Sequence, residues 1–447
     1  MYIGEDFMNI LFVSLGCDKN LVDTEVMLGM LAARGHQMVD DETVADVIVV
    51  NTCCFIHDAK EESIQAILEM AEYKKQGTCK VLVVTGCLAQ RYRQEIIDEI
   101  EEVDVVLGTT SYDKIVEAID EALEGHKQVA MEDLQALPLV DTKRLITTGG
   151  HFAYLKIAEG CDKHCTYCII PKIRGNFRSV PMERLLKEAR ELVDQGVKEL
   201  ILVAQETTLY GKDIYGEKSL PKLLRELCKI NGLQWIRILY CYPEEITDEL
   251  IQVIKEEDKI CKYLDLPIQH ASDGVLKRMG RRTSKAQLIE IVEKLRSEIP
   301  DIALRTTLIT GFPGETEEQH EELMEFVDMM EFDRLGVFTY SPEEDTPAAT
   351  MDDQIEESVK EDRQADLMEL QQEIAFDLAE AMVGREVLVM IEGKVADENV
   401  YVGRTYKDAP NVDGLIFVES GEELMSGDFA MVRVTGAMDY DLIGEII

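Results

Sequence analysis

The stretch Cys161-Asp-Lys-His-Cys165-Thr-Tyr-Cys168 places three cysteines within eight residues, in the spacing C-x3-C-x2-C. Thiolates are the preferred protein ligands of iron–sulfur clusters, and a four-iron cube normally takes four of them. Three thiolates would therefore leave one iron open to chelate a small molecule. Gly160 gives the preceding chain the freedom to wrap around a cluster. A zinc knuckle is the alternative, but zinc needs a fourth ligand at knuckle spacing, and His164 lies between two of the cysteines.

The composition limits the classes of protein to consider. A chain of 447 residues predicts two to four domains, and no apolar run has the length of a membrane span. The acidic start, residues 1–6, is unlike a secretory signal, and Met8 is an alternative start to Met1. Eleven cysteines, an odd number, argue against a disulfide framework and favour a reducing, cytoplasmic compartment. The net charge of −42 disfavours general binding of nucleic acid; it suits either plain solubility in a salt-adapted host or a basic partner.

Residues 1–140 alternate strand-like and helical segments, which predicts an α/β domain with a doubly wound parallel sheet. The predicted strands are Asn9–Ser14, Val47–Asn51, Lys80–Thr85 and Val103–Leu107, and the predicted helices are Leu21–Arg34, Ala59–Gln76 and Gln90–Glu101. Ligands of such sheets bind at the carboxyl ends of the strands.

Three further cysteines follow the first three of these strands. Cys17, Cys53 and Cys87 each come after a strand, beside a glycine or a small polar residue. Because the strand ends meet at one edge of the sheet, the three thiolates are predicted to meet there. The alternative is three unrelated buried cysteines. Cys54 and Cys79 are weaker candidates, since one adjoins Cys53 and the other precedes its strand.

Residues 147–378 predict a central partial α/β barrel of the TIM type, with ligands again at the carboxyl ends of the strands. The predicted strands are Phe152–Ala158, Glu199–Ala204, Trp235–Leu239, Tyr263–Leu266, Ala303–Ile309 and Arg334–Phe338, with Met182–Asp194 and Ser284–Glu298 among the helices. The segment from Arg305 to Glu315 leads from a strand into a turn with Gly311 and Gly314, where backbone could approach a ligand closely. An ordinary βα loop is the alternative.

The last zone, residues 380–447, follows an acidic helical stretch, Asp352–Met382. Its alternation of apolar and polar residues, with regularly spaced glycines, predicts a small antiparallel β-barrel. The strand-like runs are Glu386–Glu392, Leu415–Val418 and Phe429–Val434. Residues 384–447 carry five basic and thirteen acidic residues, so this barrel suits a basic protein better than RNA.

Together these features resemble the radical S-adenosylmethionine (SAM) methylthiotransferases over essentially all 447 residues. Members of that family have an N-terminal cluster domain, a radical SAM barrel and a C-terminal TRAM barrel. The segments Ser14–Asp23, Val203–Gly211 and Phe338–Glu344 are similar to the branch that modifies a ribosomal protein rather than tRNA. Two departures from the family pattern are Cys54, in place of a small residue, and Asp345, in place of glycine.

The resemblance implies two 4Fe–4S clusters, one on Cys161, Cys165 and Cys168 and the other on Cys17, Cys53 and Cys87. It also implies SAM as cosubstrate, and six residues could contact it: Tyr167, Gln205, Gln269, Arg305, Gly311 and Glu315. Tyr167 would pack near adenine; simple packing is the alternative. The other side chains named lie at or just after predicted strand ends.

The implied reaction attaches a methylthio group to the β-carbon of an aspartate in ribosomal small-subunit protein uS12. One SAM would give the methyl group and a second the radical. The implied partners are that basic protein and an electron donor such as flavodoxin or ferredoxin, with no membrane and with tRNA unlikely. The alternatives are a tRNA adenosine methylthiotransferase and, in another class, a non-catalytic Fe–S carrier or scaffold.

Overall fold

The computed structural model describes residues 7–138 and 142–447. The acidic start at residues 1–6 and the predicted boundary at residue 140 lie outside the described residues. The N-terminal elements are β1 (Asn9–Ser14), α1 (Asp18–Ala33), β2 (Gln37–Met38), β3 (Val47–Thr52), α2 (His57–Gln76), β4 (Val81–Gly86), α3 (Cys87–Tyr92), α4 (Gln94–Glu99), β5 (Val105–Leu107), α5 (Ile115–Leu123) and β6 (Gln128–Ala130).

The central and C-terminal elements follow in chain order. The central ones are β7 (Phe152–Lys156), β8 (Ala158–Glu159), α6 (Ile170–Arg174), β9 (Arg178–Ser179), α7 (Met182–Asp194), β10 (Glu199–Val203), α8 (Lys212–Tyr215), α9 (Leu220–Cys228), β11 (Trp235–Ile238), α10 (Asp248–Glu256), β12 (Ile260–Gln269), α11 (Asp273–Arg278), α12 (Lys285–Glu298), β13 (Ala303–Thr310), α13 (Glu317–Met330) and β14 (Arg334–Thr339). The C-terminal ones are α14 (Glu357–Glu380), β15 (Glu386–Lys394), β16 (Val400–Thr405), β17 (Ile416–Glu419), β18 (Phe429–Met438) and β19 (Asp441–Ile446).

These elements form two compact units. The first contains residues 7–138, 142–147, 158–180 and 341–346, and the second contains residues 148–157, 181–340 and 347–447. The cysteine-rich stretch 161–168 therefore belongs to the same unit as the N-terminal sheet. The domain limits predicted from the sequence, 1–140, 147–378 and 380–447, stay predictions.

The N-terminal sheet has the strand order β2-β1-β3-β4-β5-β6, and every pairing is parallel. The four predicted strands are confirmed to within two residues. β2 and β6 escaped prediction because they are only two and three residues long. The predicted helix Gln90–Glu101 is wrong as one element, since α3 and α4 are separated at Arg93, whose φ is +46°.

The second unit contains a six-stranded parallel sheet with the order β14-β13-β12-β11-β10-β7. This is the partial barrel that the sequence predicts. β12 extends three residues beyond the prediction at each end, and α7 has the predicted limits. Among the helices in the described ranges, none is both long enough and apolar enough to cross a membrane.

A closed five-stranded barrel with the order β15-β16-β17-β19-β18 forms the C-terminal end of the second unit. Four of its pairings are antiparallel, and β17 with β19 is parallel. The three predicted strands are confirmed. β16 and β19 were not predicted, because an internal glycine and polar residues interrupt their short apolar runs.

Buried charges join this barrel to the six-stranded sheet. Arg404 of β16 donates to Glu199 of β10 at 2.7 Å and to Glu392 of β15 at 2.6 Å. Arg237 of β11 donates to the other oxygen of Glu199 at 2.8 Å. The side chains of Glu199, Arg237 and Arg404 are fully buried, so each charge depends on the others for compensation. Burial would raise the pKa of Glu199, but the two arginines hold it below its usual 4.5.

Candidate metal centres and cofactor site

Three cysteines lie at the carboxyl edge of the N-terminal sheet, and we call Cys17, Cys53 and Cys87 the sheet-edge triad. Cys17 precedes α1, Cys53 directly follows β3, and Cys87 begins α3 immediately after β4. β1, β3 and β4 are parallel neighbours, so their carboxyl ends share one edge. β1 is flanked by β2 and β3, and the point where strand order reverses is the usual ligand crevice of such sheets.

The thiols of the sheet-edge triad are close enough to influence one another. Burial raises the pKa of Cys53 to about 12, and the Cys87 and Cys17 thiols add to that rise. Nevertheless, nowhere in the described ranges do three such donors surround one ion position. In a four-iron cube each thiolate binds a different iron, so a cube does not require three donors around one ion position.

Asn20 braces the loops that carry this triad. Its side-chain amide donates to Leu15 O at 3.2 Å and to Thr52 O at 2.9 Å, which ties the loop after β1 to the last residue of β3. The Asn51 amide in turn donates to Asn20 O at 2.8 Å. Asn20 is fully buried, so these bonds are made without competition from water.

Two local features fix Cys53. Its N–H donates to Ser63 Oγ at 2.9 Å, and the Ser63 hydroxyl donates back to Cys53 O at 2.8 Å. Gly16 has φ +85°, and a Cβ there would lie 2.8 Å from Cys53 Cβ and 3.1 Å from its sulfur. Only glycine therefore lets the first loop pass over the Cys53 thiol.

Cys54 and Cys79 are not members of the sheet-edge triad. Cys54 is fully buried in an apolar core with Ile67 and Leu88, but that core also contains Cys87. Burial and, next, the Cys87 thiol raise the pKa of Cys54. The Cys79 thiol donates to Val81 O at 3.3 Å, at the amino end of β4. Cys79 has the surroundings of an ordinary buried cysteine, whereas Cys54 lies near the sheet-edge triad.

The second group of cysteines, Cys161, Cys165 and Cys168, forms what we call the loop triad. A Cβ on Gly160, whose φ is +75°, would lie 2.1 Å from Asn176 O, so glycine is required there. Cys161 N–H donates to Gly175 O at 3.1 Å, and Cys168 N–H donates to Cys165 O at 3.0 Å.

The short antiparallel pair β8–β9 and a side-chain bond from Asp162 close this loop. The Asp162 carboxylate accepts from Phe177 N at 3.1 Å. Cys161 and Cys165 are buried and Cys168 is half-buried. Tyr167 is half-buried between Cys165 and Cys168, and its predicted contact with SAM stays a prediction.

Arg174 is the residue of the first unit that sequence reasoning missed. It ends α6, is only 2% exposed, and its guanidinium donates to Cys87 Sγ at 3.5 Å. Its other acceptors are Asn20, Asp23 and Glu159. Arg174 and Cys87 are 87 residues apart in the chain, and no sequence pattern connects them.

Asp345, which stands where the family pattern has glycine, has φ +67°, a conformation that glycine adopts readily.

In the second unit, three of the predicted SAM contacts lie at carboxyl ends of strands. Gln205 is two residues beyond β10, Gln269 ends β12, and Gly311 directly follows β13. Gln205 Oε1 and Thr310 Oγ1 are buried without a hydrogen-bond partner. Buried polar atoms are nearly always paired, so these two fit a polar ligand at this end of the sheet. Thr310 was missed because threonine within a strand carries no signal of its own.

The structure explains Gly311 and Glu315 first as parts of the turn after β13. Gly311 has φ +70°, and a Cβ there would lie 2.3 Å from Lys360 Cγ. Glu315 is buried and accepts from Phe312 N at 3.0 Å. Burial would raise its pKa, but His270, Arg363 and the Phe312 amide lower it. Their assignment as SAM contacts stays a prediction.

The placement of Arg305 at a strand end is wrong. It is the third of eight residues in β13 and lies opposite Asp265 of β12. Its guanidinium lies 3.8 Å from Asp265 and 3.6 Å from Asp413, an acidic residue of the C-terminal barrel. Arg305 therefore takes part in the junction between sheet and barrel, and its contact with SAM is untested.

Comparison with known proteins places this geometry in a family. Family models match residues 9–108 (Uncharacterized protein family UPF0004), 155–327 (Radical SAM superfamily) and 383–447 (TRAM domain). The chain is 67% identical over 437 residues to the ribosomal protein uS12 methylthiotransferase RimO of Lachnoclostridium phytofermentans, covering 98% of this chain and 99% of that protein. It is 50% identical over 440 residues to the protein of that name from Clostridioides difficile, with 98% and 99% coverage.

Among solved structures, the radical SAM methyltransferase TsrM from Kitasatospora setae, with cobalamin and a 4Fe–4S cluster bound, has a TM-score of 0.55. It is 15% identical and covers 88% of this chain and 81% of its own, so that likeness concerns the fold alone. The full-length identity to the curated relatives is decisive: the chain belongs to the family of ribosomal protein uS12 methylthiotransferases, within the radical SAM superfamily.

Proposed function

We propose that this protein is an enzyme that attaches a methylthio group to the β-carbon of an aspartate in ribosomal protein uS12. The observation that carries the proposal is the presence of two separate cysteine triads in one compact unit. The reaction needs two tasks, radical generation and sulfur delivery, and each triad leaves one iron of a four-iron cube without a protein ligand.

The loop triad would hold the cluster that binds SAM, and the sheet-edge triad would hold the second cluster. When bound, these clusters and SAM supply the electron, the carbon radical and the methylthio group of the reaction. Gly160 and the bond from Cys161 N to Gly175 O shape the first loop. Asn20 and Ser63 fix the loops of the sheet edge. The protein's own contribution is thus to hold six thiolates in place.

Binding of SAM would use the polar groups at the strand ends of the second unit. Gln205 and Thr310 each have a buried oxygen without a partner there, and Gln269 is adjacent to a buried histidine, His270. Glu315 would contribute to SAM binding indirectly, because its bond from Phe312 N holds the turn after β13 in shape. Tyr167, between two cysteines of the loop triad, would pack near the adenine of SAM.

The C-terminal barrel favours a protein substrate over tRNA. Its basic residues already have acidic or aromatic neighbours: Arg385 with Asp301, Lys394 over Tyr401, Arg404 with Glu199, Lys407 with Asp333 and Arg433 with Glu386. RNA binding would need a basic face with unpaired charges.

An acidic rim is the surface that would attract a basic ribosomal protein. Glu419, Glu422 and Glu423 are exposed on the C-terminal barrel. Oppositely charged surfaces raise the association rate, and salt screens the effect. Neutralising the three together should weaken binding of uS12 and flatten its salt dependence. Tight binding of tRNA at physiological salt, with none of uS12, would contradict the substrate assignment.

The clusters need an electron donor for their reduction and a reducing compartment in which cysteines stay free of disulfides. A flavodoxin or ferredoxin as electron donor and a cytoplasmic location both meet that need, and they are part of the proposal. A carrier or scaffold, the alternative of another class, would not use the buried polar atoms at the strand ends of the second unit.

The test is anaerobic incubation of the reconstituted protein with SAM, a reductant and either uS12 or tRNA, followed by mass spectrometry. We expect a mass increase of one methylthio group on one aspartate of uS12, and none on tRNA. The same reaction with the loop triad changed to alanine is the control. Modification of tRNA alone would support the tRNA alternative, and cluster transfer without product would support the scaffold.

A further inference from the structure

A buried arginine lies against the sheet-edge triad. Arg174 Nη2 donates to Cys87 Sγ at 3.5 Å and also to Asn20 Oδ1. Its Nη1 donates to Asp23 at 2.9 Å and to Glu159 at 3.3 Å. A guanidinium offers five donors in a fixed fork, and four hydrogen bonds join this one to acceptors from three separate segments.

The same segment also touches the loop triad. Gly175, the next residue, accepts the bond from Cys161 N at 3.1 Å. One dipeptide therefore bonds a ligand of each proposed cluster: the Cys87 sulfur through a side chain and the Cys161 backbone through a carbonyl.

Charge is the second consequence of this arrangement. Hydrogen bonds to cluster sulfurs and nearby positive charge make reduction easier, since they stabilise the added electron. Asp23 and Glu159 face the same guanidinium and offset its charge, and both are nearly fully buried. The balance among Arg174, Asp23 and Glu159 thus sets the local field at Cys87.

We propose that Arg174 is a positioning residue that hydrogen-bonds the Cys87 sulfur and raises the reduction potential of the cluster on the sheet-edge triad. This inference rests on the proposed function, because it takes Cys17, Cys53 and Cys87 as cluster ligands. Arg174 would keep that cluster reducible beside two buried carboxylates.

The test is a redox titration followed by electron paramagnetic resonance on the full-length, anaerobically reconstituted protein. The background carries alanine at Cys161, Cys165 and Cys168, so that only the sheet-edge cluster gives a signal. We expect Arg174→Gln to shift its midpoint potential to more negative values. Asp23→Asn, which keeps an acceptor but removes a negative charge, should shift it to more positive values.

Arg144→Gln is the matched control. Arg144 is also a buried arginine, and it pairs at 3.0 Å with Glu25, which lies on α1 as Asp23 does. It should leave the midpoint potential unchanged. Iron content is measured for every variant and should stay at about four per chain.

The outcomes separate the inference from the function on which it rests. A background protein without iron would overturn the ligand assignment, and the role of Arg174 with it. An Arg174→Gln protein that keeps its iron and its midpoint potential would overturn the role of Arg174 alone. If Arg174→Gln cannot be reconstituted, Asp23→Asn decides: a positive shift supports the inference, and an unchanged or negative shift contradicts it.

Discussion

The loop triad and the sheet-edge triad lie in the same compact unit but are built in opposite ways. The loop triad is contiguous in sequence, and its shape depends on Gly160 and a few backbone bonds within twenty residues. The sheet-edge triad is collected from three strands, and its members are 36 and 34 residues apart. The comparison teaches that one site depends on local conformation, whereas the other depends on tertiary structure.

Removing each triad in turn should give the largest difference. Alanine at Cys161, Cys165 and Cys168 should remove about half of about eight irons and abolish reductive cleavage of SAM. Alanine at the sheet-edge triad should remove the other half and stop methylthio transfer, while SAM cleavage persists. Iron analysis and detection of 5′-deoxyadenosine check both.

Two results would break this comparison. Formation of 5′-deoxyadenosine by the variant without the loop triad would show that SAM is cleaved elsewhere. Unchanged iron in the variant without the sheet-edge triad would remove the second cluster from the account.

A single change in the scaffold should separate the two triads without replacing a cysteine. Asn20→Ala removes the bonds to Leu15 O and Thr52 O and also the oxygen that accepts from Arg174 and from the Cys87 thiol. Each buried group that loses its partner costs about 1–3 kcal/mol. We expect loss of iron from the sheet-edge triad, with SAM cleavage retained.

Asn9→Ala is the control for that change. Asn9 lies at the amino end of the same strand, β1, and its side chain donates to Val44 O at 3.1 Å in an exposed position. Iron content should be unaffected. Equal loss of iron in both variants would mean that the sheet-edge triad responds to any weakening of the strand.

The neighbouring cysteines Cys53 and Cys54 sharpen the definition of the sheet-edge triad. Cys53→Ala should lose the second cluster, because its thiol lies beneath Gly16 at the sheet edge. Cys54→Ala should keep all the iron, since one loop rarely directs two adjacent side chains to one cluster and Cys53 is the one that lies against Gly16. Deleting its sulfur should only lower the free energy of unfolding by about 1 kcal/mol. If Cys54→Ala loses iron and Cys53→Ala does not, Cys54 rather than Cys53 is the cluster ligand.

Acid should destabilise the second unit through Glu199, and this effect should not distinguish the two triads. The folded pKa of Glu199 is below its usual 4.5, so Glu199 stabilises the fold above that pH and loses the contribution as pH falls through the lower folded value. Glu199→Gln should be less stable at pH 7 and lose less stability on acidification.

Trp235 reports that transition, because it is the one tryptophan of the sequence and its ring packs on Phe429 of the C-terminal barrel with centroids 4.9 Å apart. Urea titrations by fluorescence at pH 7 and pH 4 give the comparison. Iron at both triads should match the unmodified protein at pH 7. An acid dependence as steep in Glu199→Gln as in the unmodified protein would contradict the role of Glu199.

Sequence reasoning predicts the alternating elements of this fold well, because long apolar strands and helices carry strong periodic signals. It places Cys17, Cys53 and Cys87 after consecutive strands, and parallel pairing then brings those positions to one edge. It fails for Arg305, because the predicted strand already placed this residue third from its start, and the sequence does not show that Asp413 approaches it.

Arg174 and Thr310 show another limit of prediction from the sequence. The importance of Arg174 comes from contacts with Asn20 and Cys87, residues from other segments, and such contacts exist only in the folded chain. Thr310 is recognised only because its hydroxyl is buried without a partner. Neither property leaves a trace in the local sequence.

The most direct test of two distinct triads is a crystal structure of the reconstituted protein with anomalous scattering recorded at the iron edge. We expect two iron clusters, one held by Cys161, Cys165 and Cys168 and the other by Cys17, Cys53 and Cys87. A single cluster, or a second cluster held by other residues such as Cys54 or Cys79, would contradict the account.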